Sequence, residues 1–103
     1  MSDPMRIRAT LVGEIVDVKI LVGHEMETGQ RKDADGNLVP AHYIVSISAT
    51  CNGRTVLSAA WGPSISKNPF LAFRFRHAAK GDKVKVTWTD TAGESQTNEV
   101  AIA

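Results

Sequence analysis

Apolar and polar residues alternate in short runs along almost the whole chain. Met5, Ile7, Ala9 and Leu11 alternate with Arg6, Arg8 and Thr10, which reads as a first strand with one wet face. Gly13 punctuates, and Ile15 to Val22 is apolar nearly throughout, a second strand. A long polar segment from Gly23 to Val39 follows. Tyr43, Val45, Ile47 and Ala49 then form one face of a third strand, with Ser46 and Ser48 on the other. After Cys51-Asn52-Gly53, a fourth strand alternates through Thr55, Leu57, Ala59 and Trp61. A three-residue loop with Gly53 in the left-handed bulge position would pair Ile47 with Leu57, Val45 with Ala59 and Tyr43 with Trp61. That gathers the large side chains on one side, whereas a two-residue Asn-Gly turn would mix the faces.

Trp61-Gly62-Pro63 ends this strand, because proline lacks an amide hydrogen and glycine permits a sharp bend. Beyond the polar loop Ser66-Lys67-Asn68-Pro69, Leu71, Phe73 and Phe75 share one face, and Ala72, Arg74 and Arg76 the other. His77 to Asp82 is a turn. Val84, Val86 and Trp88 alternate with Lys83, Lys85, Thr87 and Thr89, Asp90 to Gly93 turns again, and a last strand starts near Ser95 with Val100 and Ile102 inward. About seven strands without a helical period predict an all-β fold, an immunoglobulin-like antiparallel β-sandwich. Tyr43, Val45, Ile47, Leu57, Trp61, Phe73, Phe75, Val84, Val86 and Trp88 are its expected core.

A length of 103 residues and 43% apolar composition suit a single domain spanning 1–103. The net charge of +1 is uninformative, but its distribution is not. Lys67, Arg74, Arg76, Lys80, Lys83 and Lys85 face Asp82 alone in their stretch; the plainer reading is a solvated strand face, the sharper one a basic patch for an anionic ligand or acidic partner. No apolar run reaches the roughly 18 residues of a membrane-spanning helix, so no membrane insertion is expected. The start, Met-Ser-Asp-Pro-Met-Arg, lacks the basic and apolar regions of a signal peptide, which taken alone points to the cytoplasm. The one cysteine cannot form an internal disulfide.

Candidate chemistry is sparse. Asp33-Ala34-Asp35-Gly36-Asn37 resembles a calcium loop only superficially, since neither the glycine nor the acidic residue that closes an EF-hand loop stands at its position; it is a turn tip. A blue-copper site crowds its Cys, one His and Met into a single loop, but here no methionine follows Met26 and Cys51 sits in a hairpin. Cys51 has no histidine in local reach and is expected to be an accessible thiol of near-ordinary pKa. No nucleophile elbow joins the hydroxyls to His24, His42 or His77. His24 and His42 flank the same long loop and could meet across its base, with Glu25 or Glu27 completing a metal pair or, in the plainer reading, a structural contact. Phe70 beside Arg74 and Arg76 is too little for stacking nucleic-acid bases, and no nucleic-acid role is expected. No catalytic, cofactor or metal residues are therefore assigned, and the chain is expected not to be an enzyme.

Apolar side chains on nominally wet positions remain: Ile65 in a polar turn, Phe70, Val56 and Ile44 on outer strand faces, and Met26 in a charged loop. They suggest an interaction protein.

Three blocks then carry a resemblance. Met5-Arg6-Ile7-Arg8-Ala9 opens the chain. Met26-Glu27-Thr28-Gly29 with Arg31-Lys32-Asp33 and Pro40-Ala41-His42 forms the second. Trp61-Gly62-Pro63 with Ser66-Lys67-Asn68-Pro69-Phe70-Leu71, Phe73 and Phe75 forms the third. In this order they resemble the SoxZ family, the small subunit of the SoxYZ sulfur-oxidation carrier. The resemblance implies an immunoglobulin-like sandwich, as the alternation does. It also implies a tightly bound partner, SoxY, which carries sulfur intermediates on a cysteine in a glycine-rich arm during thiosulfate oxidation. This chain has neither glycine arm nor terminal cysteine and matches the companion. The resemblance further implies a periplasmic complex exported on the partner's signal, and transient docking of other sulfur-oxidation enzymes. The expected interface is Met26, Ile44, Val56, Ile65 and Phe70, rimmed by Arg31, Lys32, Lys67 and Asn68. The rival reading is a stand-alone immunoglobulin-like module whose basic patch binds an anion.

Overall fold

The structure is a computed structural model describing residues 4–103; Met1–Asp3, part of the start read as lacking a leader, lie outside the described residues. Seven strands form: β1 (Arg6–Val12), β2 (Ile15–Leu21), β3 (Ile44–Cys51), β4 (Arg54–Ala60), β5 (Phe70–Arg76), β6 (Lys83–Asp90) and β7 (Ser95–Ala101). They pair antiparallel into a three-stranded sheet, β1-β2-β5, and a four-stranded sheet, β4-β3-β6-β7. The all-β sandwich expected from the alternation is therefore present. The core lies between the inner strands, where Val16, Val18 and Ile20 of β2 meet Ile47, Ala49 and Cys51 of β3 and Val84, Val86 and Trp88 of β6. Burying each of the larger side chains contributes about 1.5–3 kcal/mol, and β-branched residues dominate because they fit a pleated surface.

Two β-bulges overturn the expected hairpin register. The turn between β3 and β4 is the two-residue Asn52-Gly53, both with positive φ (54° and 74°), as a primed hairpin turn requires. Val56 is then an extra residue on β4, since Ala49 pairs with Leu57 but Thr50 with Thr55. Ile47 consequently faces Ala59, not Leu57. Val45 is the extra residue on β3, between the Ile44–Asp90 and Ser46–Thr89 pairs of β3 with β6. The bulge inverts the phase there, so Ile44 is fully buried and Val45 is 37% exposed, the opposite of the expectation for both. Ile44 is thereby removed from the interface candidates.

The sandwich is closed on one side and open on the other. Over β7, the Met5 N–H donates to Asn98 Oδ1, and Ala103 exchanges hydrogen bonds with Leu11 and Ala9 of β1 at 2.9 Å. On the far side β4 and β5 do not pair, and the Arg54 guanidinium bridges them at one end by donating to the carbonyls of Arg76 and His77. Leu57, Trp61 and Phe73 were expected in the core but border this gap and remain half-buried, as does Tyr43. Phe75, Val84, Val86, Trp88 and Ile47 are buried as expected.

The basic stretch does not assemble. Arg74 and Arg76 lie on the outer face of the three-stranded sheet, whereas Lys83 and Lys85 lie on the outer face of β6. Arg6, Arg8 and Lys19 instead join Arg74 and Arg76, because register sets β1, β2 and β5 side by side with these side chains outward.

Cys51 is also corrected. It continues the inward set Ile47, Ala49, Cys51 and is 1% exposed. Burial pushes its thiol up, Asp82 adds to that shift, and Arg54 opposes it. Folded protein should leave Cys51 unreactive toward a disulfide reagent at neutral pH, while denaturant releases one full equivalent of thiol; reaction of the native chain at the unfolded rate would refute this placement.

Candidate functional site

The polar segment after β2 is a narrow antiparallel arm. Glu27 and His42 bridge at its base through reciprocal backbone hydrogen bonds, and Lys32 and Leu38 bridge further out. Asp33 closes the tip: its carboxylate accepts the N–H groups of Asp35 and Asn37, and Gly36 takes a φ of 82°. Gly29 is demanded by both backbone and space, since its φ is 86° and an added Cβ would stand 3.1 Å from Ala41 Cβ.

At the foot of this arm sits a polar cluster. Asp90, at the end of β6, is buried with a full set of donors. Its Oδ2 accepts from His24 Nε2 at 3.0 Å and His42 Nε2 at 2.8 Å, and its Oδ1 accepts the N–H groups of Ala92 and Glu94. The other His24 nitrogen, Nδ1, accepts the Met26 N–H at 3.0 Å. An accepting Nδ1 carries no proton, so the His24 hydrogen is on Nε2 and is donated to Asp90. The rings of His24 and His42 meet edge-on at 4.8 Å, and His24 meets Trp88 in the same way at 5.1 Å.

His24 and His42 thus approach each other as the sequence allowed, but Asp90 is the third member, not Glu25 or Glu27. Periodicity placed Asp90 only in a turn; nothing local marked it as the partner of residues 66 and 48 positions away. Glu27 instead takes a bidentate pair from Arg31 at 2.8–3.0 Å. The Arg31 hydrogen bond holds the Glu27 carboxyl below its ordinary value against partial desolvation, with Lys67 contributing in the same direction.

The three ligand atoms of His24, His42 and Asp90 lie within 4.8 Å of one another, close enough to consider a metal. The hydrogen bonds do not favour one. Coordination through His24 Nε2 would move its proton to Nδ1 and break the Met26 bond. The cluster is better described as a hydrogen-bonded hub. Cys51 is at the opposite end of β3, seven residues from Ile44 and so roughly 20 Å away along the strand.

The hub also relocates several interface candidates. Met26 is 4% exposed, with a φ of 51° and its Sδ accepting the Ile44 N–H at 3.4 Å; it fills the core beneath the arm and is not a surface group. Asn68 locks the loop before β5 to the hub, since its Oδ1 accepts the His24 N–H and its own N–H donates to the His24 carbonyl. Arg31, Lys32 and Lys67 remain exposed. Val56 and Ile65 are half-exposed, and Phe70 is 64% exposed.

Burial would raise the Asp90 carboxyl, but the donors from His24, His42, Glu94 and Ala92 outweigh it and hold it below the ordinary range. A carboxyl depressed in the folded state stabilises above its unfolded pKa of about 3.9, and that stability is lost as pH falls through the folded value. Denaturant melts should therefore show stability falling below about pH 4. Asp90→Asn places an NH2 group against histidine donors or the turn amides; it should cost about 2–3 kcal/mol at pH 7 and flatten that acid limb. An unchanged melt would show that the hub is not structural.

The fold has solved relatives. A hypothetical protein, PH1083, from Pyrococcus horikoshii superposes with a TM-score of 0.65 at 19% identity, covering 99% of this chain and 88% of that one. A superoxide reductase in the oxidised state gives 0.64 at 19%, covering 99% and 89%. The neelaredoxin superoxide reductase of Archaeoglobus fulgidus in reduced form gives 0.63 at 16%, covering 97% and 87%. At such identities the likeness is one of fold alone. A comparison with curated proteins finds no match. The family described as sulphur oxidation protein SoxZ matches residues 5–101, which takes in all three sequence blocks and the whole hub, and the chain belongs to that family.

Proposed function

We propose that this chain is the non-catalytic subunit of a SoxYZ-type carrier, holding a SoxY-like partner whose arm cysteine bears the sulfur intermediates of thiosulfate oxidation. Family membership supports a subunit of a sulfur-oxidation complex. The observation that carries the finer reading is the open side of the sandwich. Leu57, Trp61 and Phe73 are only half-buried there, and Val56, Ile65 and Phe70 lie on β4, on β5 or in the turn joining them. A chain of this size gains by covering such side chains, and a tightly bound partner does so. His42 and Asn68 of the matched blocks are spent on the hub, which supports a structural role for that end of the molecule. In the same reading the complex works in the periplasm, with this chain crossing the membrane on its partner's signal, and other sulfur-oxidation enzymes dock on it transiently.

Isothermal titration against purified SoxY at two ionic strengths tests the proposal. Phe70→Ala should weaken the complex about thirtyfold, the effect of truncating an exposed aromatic side chain that the partner covers. Lys67→Ala should change affinity only a few-fold at most, acting mainly on association rate and salt dependence. Equal losses would move the interface elsewhere, and no binding by the unmodified chain would remove the carrier-subunit reading.

A further inference from the structure

The two sheets have four edges, and they differ. The β1 and β7 edges face the closed side, tied by the Met5–Asn98 bond and by the backbone bonds of Ala103. The β4 edge is blunted by its bulge at Val56, a common protection against strand pairing. Among the described residues, β5 keeps an unbroken register, from Leu21–Phe70 to Ile15–Arg76, and pairs with no strand on its outer edge.

The register also tells which groups of that edge are free. Hydrogen-bonded and non-hydrogen-bonded pairs alternate along an antiparallel ladder. The Val22 N–H donates to the Pro69 carbonyl at 2.9 Å, so Pro69, Leu71, Phe73 and Phe75 turn their backbone polar groups toward β2. Phe70, Ala72 and Arg74 turn theirs outward. Arg76 does too, but its carbonyl is already taken by Arg54 at 2.7 Å. Three consecutive outward positions are thus available, on a strand whose inner-face neighbours Leu71 and Phe73 are half-buried at the gap.

Resting on the carrier-subunit reading, we propose that the partner seats by adding a strand to the free edge of β5. Its apolar side chains turn into the gap beside Phe73, Leu57 and Trp61, and its carboxylates lie over Arg74 and Arg76. Charge selects this occupant. Among the described residues, Arg74 meets Asp17 at 3.9 Å and Arg76 meets Glu14 at 3.8 Å, loose exposed pairs that leave the edge basic. A second copy of this chain pairing β5 to β5 about Ala72 would set Arg74 opposite Phe70 and bring the arginines of both copies onto one face, a charge excess that an acidic strand offsets instead.

The test uses the full chain, purified SoxY and three readouts. Ala72→Pro removes an outward N–H while leaving the β2–β5 ladder intact, as proline is tolerated on an edge. It should weaken the complex about tenfold or more, whereas Ala72→Val stays within about threefold. Amide hydrogen exchange on the unmodified chain should show Ala72 and Arg74 slowed in the complex and fast without it. That readout is independent of whether the proline variant folds. Arg74→Glu should weaken binding, with the loss shrinking at high salt. If the complex forms but both amides exchange as in the free chain, strand addition is overturned and the subunit reading stands. Protection of those amides in the chain alone, with a dimer in solution, would overturn the choice of occupant. Failure of the unmodified chain to bind SoxY overturns the subunit reading and this inference with it.

Discussion

One carboxylate organises the loop end of the molecule. Asp90 is buried at the end of β6, and a lone buried carboxylate would be costly. Four donors offset that cost, and each comes from a different position along the chain. Ala92 and Glu94 shape the β6–β7 turn, His24 fixes the exit from β2, and His42 fixes the entry to β3. His24 passes the order on through Nδ1 to the Met26 N–H, and through its own backbone to Asn68. The arm, the turn and the loop before β5 therefore share one anchor, and their positions are coupled.

This anchor explains how a non-glycine residue sits in the left-handed region at the base of the arm. Met26 at a φ of 51° is strained by its own backbone. Its N–H is held by His24, its sulfur takes the Ile44 amide, and its side chain fills the core under the arm. Local strain is thus stabilised by burial and by a hydrogen bond that exists only when the hub is complete.

The fold was legible because alternation is clear in β1, β5 and β6, and the inner residues of β2 and β6 required no further information. What the sequence concealed was phase. A single inserted residue at Val45 exchanges the roles of Ile44 and Val45, and another at Val56 moves β4 by one position. Nothing in a Val among apolar neighbours marks a bulge. Cys51 was legible in principle, since it continues the inward set of Ile47 and Ala49, but the adjacent turn residues suggested a tip. The histidine pair could be suspected from loop closure, whereas Asp90 could not, because its partners are brought to it only by the pairing of β6 with β3. The basic stretch misled for the same reason: sequence neighbours on β5 and β6 lie in different sheets.

The placement of the hub bears on why the open side is available at all. Sandwiches usually protect their edges by bulges, closure or charge. Here β4 has its bulge, β1 and β7 have closure, and β5 has only the arginines on its outer face. On the proposed strand addition, the arginines that make this edge basic would also favour an acidic partner strand over a second copy of the chain. Asn68 holds the start of β5 against His24, which sets the edge in place before any partner arrives. An edge ordered in advance loses less conformational freedom on binding, and this favours a tight and lasting complex over a transient one.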